Sequence, residues 1–152
     1  HFDLRSVIQS IVNSSDILFR QKEVTLSYHP DEEPIMVWAD EYMIEEVVSN
    51  YVSNALNHVK YENKIEIKTI RKGDHVCTSV FNTGDPIPEE DMDKIWSKFY
   101  KVDKARTREY GGNGIGLSIV KAVMDAHNQK FGVKNYDNGV EFWFELDVKS
   151  VD

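Results

Sequence analysis

The sequence is poor in cysteine, in positive charge and in long apolar runs, and each shortage excludes something. One cysteine, Cys77, stands in a chain of 152 residues. There is no partner for an internal disulfide, and the expected environment is reducing, hence cytoplasmic. Cys77 lies in an apolar-alternating run, the setting of a strand or core residue rather than a nucleophile. Lys and Arg number 18 against 26 Asp and Glu, a formal charge of −8. That balance argues against a nucleic-acid surface, while leaving room for a nucleotide held by a local site. No apolar run is long enough to span a bilayer, and no signal-peptide pattern is visible. Internal repeats and low-complexity linkers are also missing. The length suits one domain, residues 1–152, with a core of its own.

What is present is periodic. Leu4, Val7, Ile8, Ile11, Val12 and Leu18 follow helical spacing over residues 3–20, behind Asp3 as N-cap. "EVTLSYH" (23–29) and "IMVWA" (35–39) read as strands joined by "PDEEP". Residues 40–59 make the strongest helix, opened by Asp40. "KIEIKTIRKGDHVCTSVFN" alternates as a hairpin around Lys72-Gly73-Asp74. "IPEEDMDKIWSKFY" predicts a short helix with an acidic start, and residues 114–127 predict another. The end, "FGVKNYDNGVEFWFELDV", predicts a hairpin turning at Asn138-Gly139. About three main helices and six strands predict a two-layer α/β sandwich with a mixed sheet.

Against this background "REYGGNGIGLSIV" (108–120) is odd, with four glycines between 111 and 116. Such a cluster suits backbone that must approach something closely or move. A P-loop would need Lys-Ser or Lys-Thr after its last glycine, and here Leu117 and Ser118 follow Gly116. The dinucleotide fingerprint fails too, since Gly112, Gly114 and Gly116 are spaced G-x-G-x-G with no strand before them. Two readings are left: a plain flexible loop, or a helix N-terminus that welcomes an anion.

The helix at 40–59 adds a second oddity. Ile44, Val47, Val48, Tyr51, Val52, Ala55 and Val59 form one apolar face, and Asn50, Asn54 and Asn57 line its edge. Asparagine is a poor residue inside a helix. The stripe is either a solvated edge or a row of amides that ligate a hard cation and meet phosphates. Magnesium takes oxygen ligands, one or two from protein and the rest from phosphate and water. In "VFNTGDPIPEED" (80–91) a strand ends at Phe81 and a Gly/Pro turn follows. This is either an ordinary connection or a strand end at which Asn82 looks into a pocket.

Taken in order, "EEVVSNYVSNALNH", "NTGDPIP", "KFYKVDKAR" and "GGNGIGLSIV" resemble the catalytic, ATP-binding domain of sensor histidine kinases. The resemblance covers about Phe2 to Val148 and implies the Bergerat fold. It implies Asn54 as the magnesium ligand and Asn50 as its companion. Asn57 stands where a lysine usually reaches the phosphates, and His58 where a tyrosine often meets the nucleoside. Asn82 replaces the aspartate that accepts from the adenine amino group. Gly84 keeps the close backbone approach, and Pro86 replaces the second glycine of that box. Phe99 and Tyr100 match the aromatic anchor of an ATP lid at about 102–113, with Lys101 facing phosphate. Gly112, Gly114 and Gly116 match the glycine-rich lid end, with Leu117 beneath the nucleotide. Ile87 and Ile115 join the same ATP-binding set.

The chemistry implied is transfer of the γ-phosphoryl group of Mg-ATP to a histidine on a separate dimerisation domain. Phosphoryl transfer asks for positioning and charge stabilisation. Asn50 occupies the place of the water-activating glutamate of hydrolysing relatives, and an amide cannot act as that base. Glu46 is the residue expected to promote the acceptor imidazole. "HFDLRS" echoes the family's acceptor box, but it lacks the proline, and Asp3-Leu4 fits better as the start of the ATP domain. Expected partners are the parent chain's dimerisation domain and a downstream response regulator, with the parent membrane-anchored and no nucleic acid involved. The alternative is a freestanding Bergerat module such as an anti-sigma-type serine kinase. Because an amide can flip, Asn82 is expected to separate ATP from GTP less sharply than an aspartate would.

Overall fold

The computed structural model describes residues 1–97 and 116–148. Within them the chain runs β1 (Phe2–Asp3), α1 (Leu4–Ser14), α2 (Asp16–Gln21), β2 (Thr25–Tyr28), β3 (Met36–Trp38) and α3 (Glu41–His58). It continues with β4 (Lys64–Lys72), β5 (His75–Thr83), a 3-10 turn at Glu89–Asp91, α4 (Gly116–Ala126), β6 (Phe131–Tyr136) and β7 (Gly139–Val148). The strands form one sheet in the order β1-β3-β7-β5-β4-β2, with β6 also on β7. Only β2 with β4 is parallel among these pairs, so the sheet is mixed as expected.

The core lies between the helices and one sheet face. From α3 it takes Ile44, Val47, Val48, Tyr51, Val52, Ala55 and Leu56, and from the sheet Ile65, Ile67, Val76, Val80, Phe142 and Phe144. Alternate strand residues point to one face, so each strand contributes every second side chain. Tyr51 is fully buried, and its hydroxyl donates to the Trp143 carbonyl at 3.0 Å. Burial therefore costs no unpaired hydroxyl there, and it pushes the Tyr51 pKa well up. Cys77 is half-buried in β5 with its thiol pushed up by burial, which suits a strand residue and not a nucleophile.

Both expected N-caps are present. The Asp3 carboxylate accepts from the Arg5 N–H at 3.0 Å, and Asp40 accepts from Met43 N–H at 3.1 Å. Asp3 also accepts from Ile35 N–H and pairs with the Arg5 guanidinium. Burial works to raise its pKa, but Arg5 and the two N–H donors together hold it below the usual carboxylate range.

Four local expectations change. The helix expected over 3–20 is two helices broken at Ser15, whose N–H is shared between the Ile11 and Val12 carbonyls at 3.0 and 3.3 Å while the Ser14 hydroxyl adds a bond to the Ile11 carbonyl. The strands joined by "PDEEP" are not neighbours: β2 forms one edge of the sheet and β3 lies near the other. Arg5 fastens that crossing loop by donating to the Asp31 and Glu32 carbonyls at 2.9 and 3.0 Å. Residues 89–97 form a 3-10 turn and bends instead of a helix. Tertiary packing overrides helical preference there, with Ile95 buried and the Trp96 ring edge-on to Phe131 and Phe142. Finally, the last hairpin turns at Asp137-Asn138, and Gly139 is already the first residue of β7. A Cβ on Gly139 would lie within 3 Å of both the Asn82 carbonyl and the Phe81 ring, so close approach, not turn geometry, requires glycine.

Candidate nucleotide site

Helix α3 carries the amide stripe along its edge, as its sequence requires. Glu46 is exposed, and Asn50, Asn54 and Asn57 are half-buried. Asn50 Nδ2 donates to the Glu46 carbonyl at 2.8 Å. This turns its Oδ1 toward the start of α4, where a Cβ added to Gly116 would stand 2.8 Å away. Gly116 is glycine so that α4 can pack on Asn50, a constraint the spacing of glycines alone does not reveal. The side chains of Asn54 and Asn57 have no hydrogen-bond partner among the described residues. Leu117, one residue into α4, packs partly buried against the core.

The other wall of the site is built from the end of β5. Asn82 is 2% exposed, and its Nδ2 donates to the Thr83 carbonyl at 3.1 Å. Thr83, equally buried, accepts from Lys64 N–H at 3.0 Å and donates to the Lys60 carbonyl at 2.9 Å. Gly84 has φ +153, and a Cβ there would stand 2.7 Å from the His58 carbonyl. The residue must therefore be glycine, and the contact joins the end of α3 to the end of β5. His58 is desolvated here, and burial first, then the charges of Lys60 and Lys22, bring its pKa down to about 4. The imidazole is neutral at pH 7 and is not an exposed side chain.

Beyond Gly84 the chain is fastened at each step. Gly84 N–H donates to the Asn138 carbonyl at 3.0 Å. Asp85 accepts from the Tyr61 hydroxyl and pairs with Lys60 at 3.6 Å. Ile87 is buried, and its backbone is held from both sides by one side chain. Asn135 Oδ1 accepts from Ile87 N–H at 2.9 Å, and Asn135 Nδ2 donates to the Ile87 carbonyl at 2.7 Å. Sequence reasoning missed Asn135. The signal was present in "FGVKNY": Phe131, Val133 and Asn135 share one strand parity, so an amide stands where the alternation asks for an apolar residue.

The fold thus sets Asn50, Asn54, Asn57 and His58 along one helix, whose end meets Gly84 beside Asn82 through the His58 carbonyl, and brings Gly116 against Asn50. Tyr100, Lys101, Gly112, Gly114, Ile115 and the lid at 102–113 lie outside the described residues. No group of three or more His, Cys, Asp or Glu able to hold a metal occurs among the described residues. His75 bridges Asp74 and Asp147, and His127 bridges the Val123 carbonyl and the Asp40 N–H. A cation here would instead take an amide oxygen. Asn54, half-buried and unclaimed, fits that donor set when a polyphosphate brings the negative charge.

Comparison with known proteins bears on the family and the fold. Residues 39–150 match the family model described as histidine kinase-, DNA gyrase B-, and HSP90-like ATPase. Sensor protein kinase WalK of Staphylococcus haemolyticus is 29% identical over 153 residues, covering 99% of this chain and 25% of the relative. Sensor protein VanSB of Enterococcus faecalis is 31% identical over 111 residues, 73% of this chain and 25% of the relative. The chain thus spans about a quarter of the length of these two curated relatives. The nucleotide-free catalytic domain of histidine kinase ThkA superposes with a TM-score of 0.83 at 34% identity, covering 96% of this chain and 93% of that one. Full-length ShkA in complex with AMPPNP gives the same TM-score, 0.83, at 20% identity, covering 98% of this chain and 31% of that one, a likeness of fold.

Proposed function

The chain belongs to the histidine kinase-, DNA gyrase B-, and HSP90-like ATPase family, among the catalytic domains of sensor histidine kinases, and we propose that it binds Mg-ATP between α3 and the end of β5. In the intact protein it presents the γ-phosphoryl group to an acceptor histidine on a separate dimerisation domain. The observation that carries this reading is that an unclaimed amide row on α3 runs into the end of β5 at the His58–Gly84 contact. Asn54 and Asn57 lie on one side, with Asn82 and Gly84 on the other, linked by the His58–Gly84 contact.

The residues divide the work. Asn54 Oδ1 is the protein ligand for magnesium, which when bound draws charge from the phosphate oxygens. Asn82 reads the base: its Nδ2 is occupied by the Thr83 carbonyl, so its Oδ1 faces the ligand as an acceptor suited to an adenine amino group. Gly84 lets the backbone come against the base. Asn50 is no base, and with its amide nitrogen on the Glu46 carbonyl it serves as a spacer between α3 and α4. Hydrolysis by water at this place lacks its proton acceptor, so transfer to an imidazole is favoured, with the exposed Glu46 placed to take part. A relative of known structure, ThkA, has been seen in complex with the response regulator TrrA. By that likeness the intact kinase passes its phosphoryl group on to a regulator of the same kind.

The test is calorimetric titration of the protein with ATP, with and without magnesium. Micromolar binding that needs the metal is expected, and equal affinity without it would remove Asn54 from the metal role.

A further inference from the structure

The base-side loop, Gly84 to Pro88, contains two prolines and a glycine, and from Gly84 to Ile87 no helix or strand hydrogen-bond ladder supports it. Yet Ile87 is only 7% exposed. Buried backbone groups need partners, and here both come from one side chain, 48 residues away in sequence. The Asn135 amide lies against the Ile87 backbone as a neighbouring strand would. It accepts from the N–H at 2.9 Å and donates to the carbonyl at 2.7 Å. The strand that carries it is itself locked: Asn135 pairs with Val140 in the β6–β7 register, and Val140 pairs with Asn82 on β5. Asn135 and Asn82 are therefore fixed to the same β7 residue from its two sides. The backbone of the loop and the side chain that reads the base share one reference.

We propose that Asn135 is a positioning residue for the nucleobase: it holds the Gly84–Ile87 backbone at a set height over Asn82 and thereby sets how well adenine is told from guanine. The proposal rests on the Mg-ATP reading above. Two bonds to one residue, one to each of the peptides flanking its Cα, fix both its position and its tilt, whereas burial of the Ile87 side chain alone would allow the loop to slide. The Asn135 amide is engaged by the Ile87 backbone and the Met92 sulfur. Its influence passes through the loop, so its loss should act on discrimination and not on the phosphate end of the site.

The experiment measures the affinities of ATP and GTP, by competition against a fluorescent ATP analogue, for the wild-type protein, Asn135→Ala and Asn135→Ser. In Asn135→Ala the ratio of ATP to GTP affinity should fall about tenfold, which corresponds to 1.4 kcal/mol. Asn135→Ser, which keeps a short hydrogen-bonding group, should fall between. A role in folding alone would weaken both nucleotides by one factor and leave the ratio unchanged, and that result would overturn the proposal. If Asn135→Ala does not fold, the ratio in Asn135→Ser decides alone. A wild-type protein that binds no ATP would count against the proposed function, whereas binding with an unchanged ratio in the variants counts against the role of Asn135 only.

Discussion

Two asparagines show how differently one side chain is used at the two ends of the candidate site. Asn135, on the base side, has both amide atoms committed to the backbone of Ile87. Asn54, on the phosphate side, has neither committed among the described residues. A buried amide with all its bonds made rigidifies what it touches. A half-buried amide with none is worth little to the fold, and under the proposed reading it serves a ligand. On that reading the base side is built in advance by the protein and the phosphate side is completed by what binds. His58 stands at the junction, its carbonyl against Gly84 and its ring desolvated.

The widest break in that contrast should come from acid. The folded-state pKa of His58 is down to about 4, against an ordinary value near 6.5. As pH falls, the unfolded chain takes the proton first. The stability tied to the neutral ring is complete above about 6.5 and is lost between about 6.5 and 4. The loss is of the order of 3 kcal/mol at most, at 1.36 kcal/mol per unit. Urea unfolding at pH 7.5 and 4.5 should show a smaller acid loss in His58→Gln than in the wild type. An identical loss in both would show that the ring is solvated.

On the phosphate side, Asn54→Ala should lower ATP affinity in magnesium by more than about tenfold, or 1.4 kcal/mol. Its urea midpoint should stay within about 0.5 kcal/mol of the wild type. A large stability loss with unchanged affinity would reverse the contrast between the two asparagines. Asn135→Ala should do the opposite at the level of folding. Leaving the buried Ile87 groups unpaired costs about 1–3 kcal/mol, read as a lower urea midpoint without nucleotide.

The smallest effect concerns Asn82. From the residue type alone a free flip predicts a narrower ATP-over-GTP margin than an aspartate gives. The Thr83 carbonyl opposes that flip by holding Nδ2 at 3.1 Å. The wild-type margin should therefore match that of Asn82→Asp within about threefold, less than one net hydrogen bond. A margin narrower by more than this would mean that the amide turns over when guanine enters.

Much of the fold was legible because it is local. Helix α3, its Asp40 cap and its amide stripe follow from spacing, as do the β4–β5 hairpin and the alternation of β7. The break at Ser15 was harder to see because apolar spacing continues through it, and it shows only in the sharing of the Ser15 N–H between the Ile11 and Val12 carbonyls. Residues 89–97 were misjudged because an acidic start and apolar spacing suggest a helix, whereas the burial of Ile95 and the contacts of Trp96 are made with distant strands.

The same division holds in the site. The sequence by itself determined which side chains line the helix edge, that Asn82 stands close to a strand end, and that glycines lead into α4. These depend on periodicity and on neighbours within a turn or two. The tertiary structure alone decided that Gly116 is small for the sake of Asn50, that Gly84 lies on the His58 carbonyl, and that Asn135 reaches Ile87. Each of these depends on the distance between two elements far apart in the chain. Hydrogen bonds and steric contacts change over tenths of an ångström, a precision that only the packed core sets.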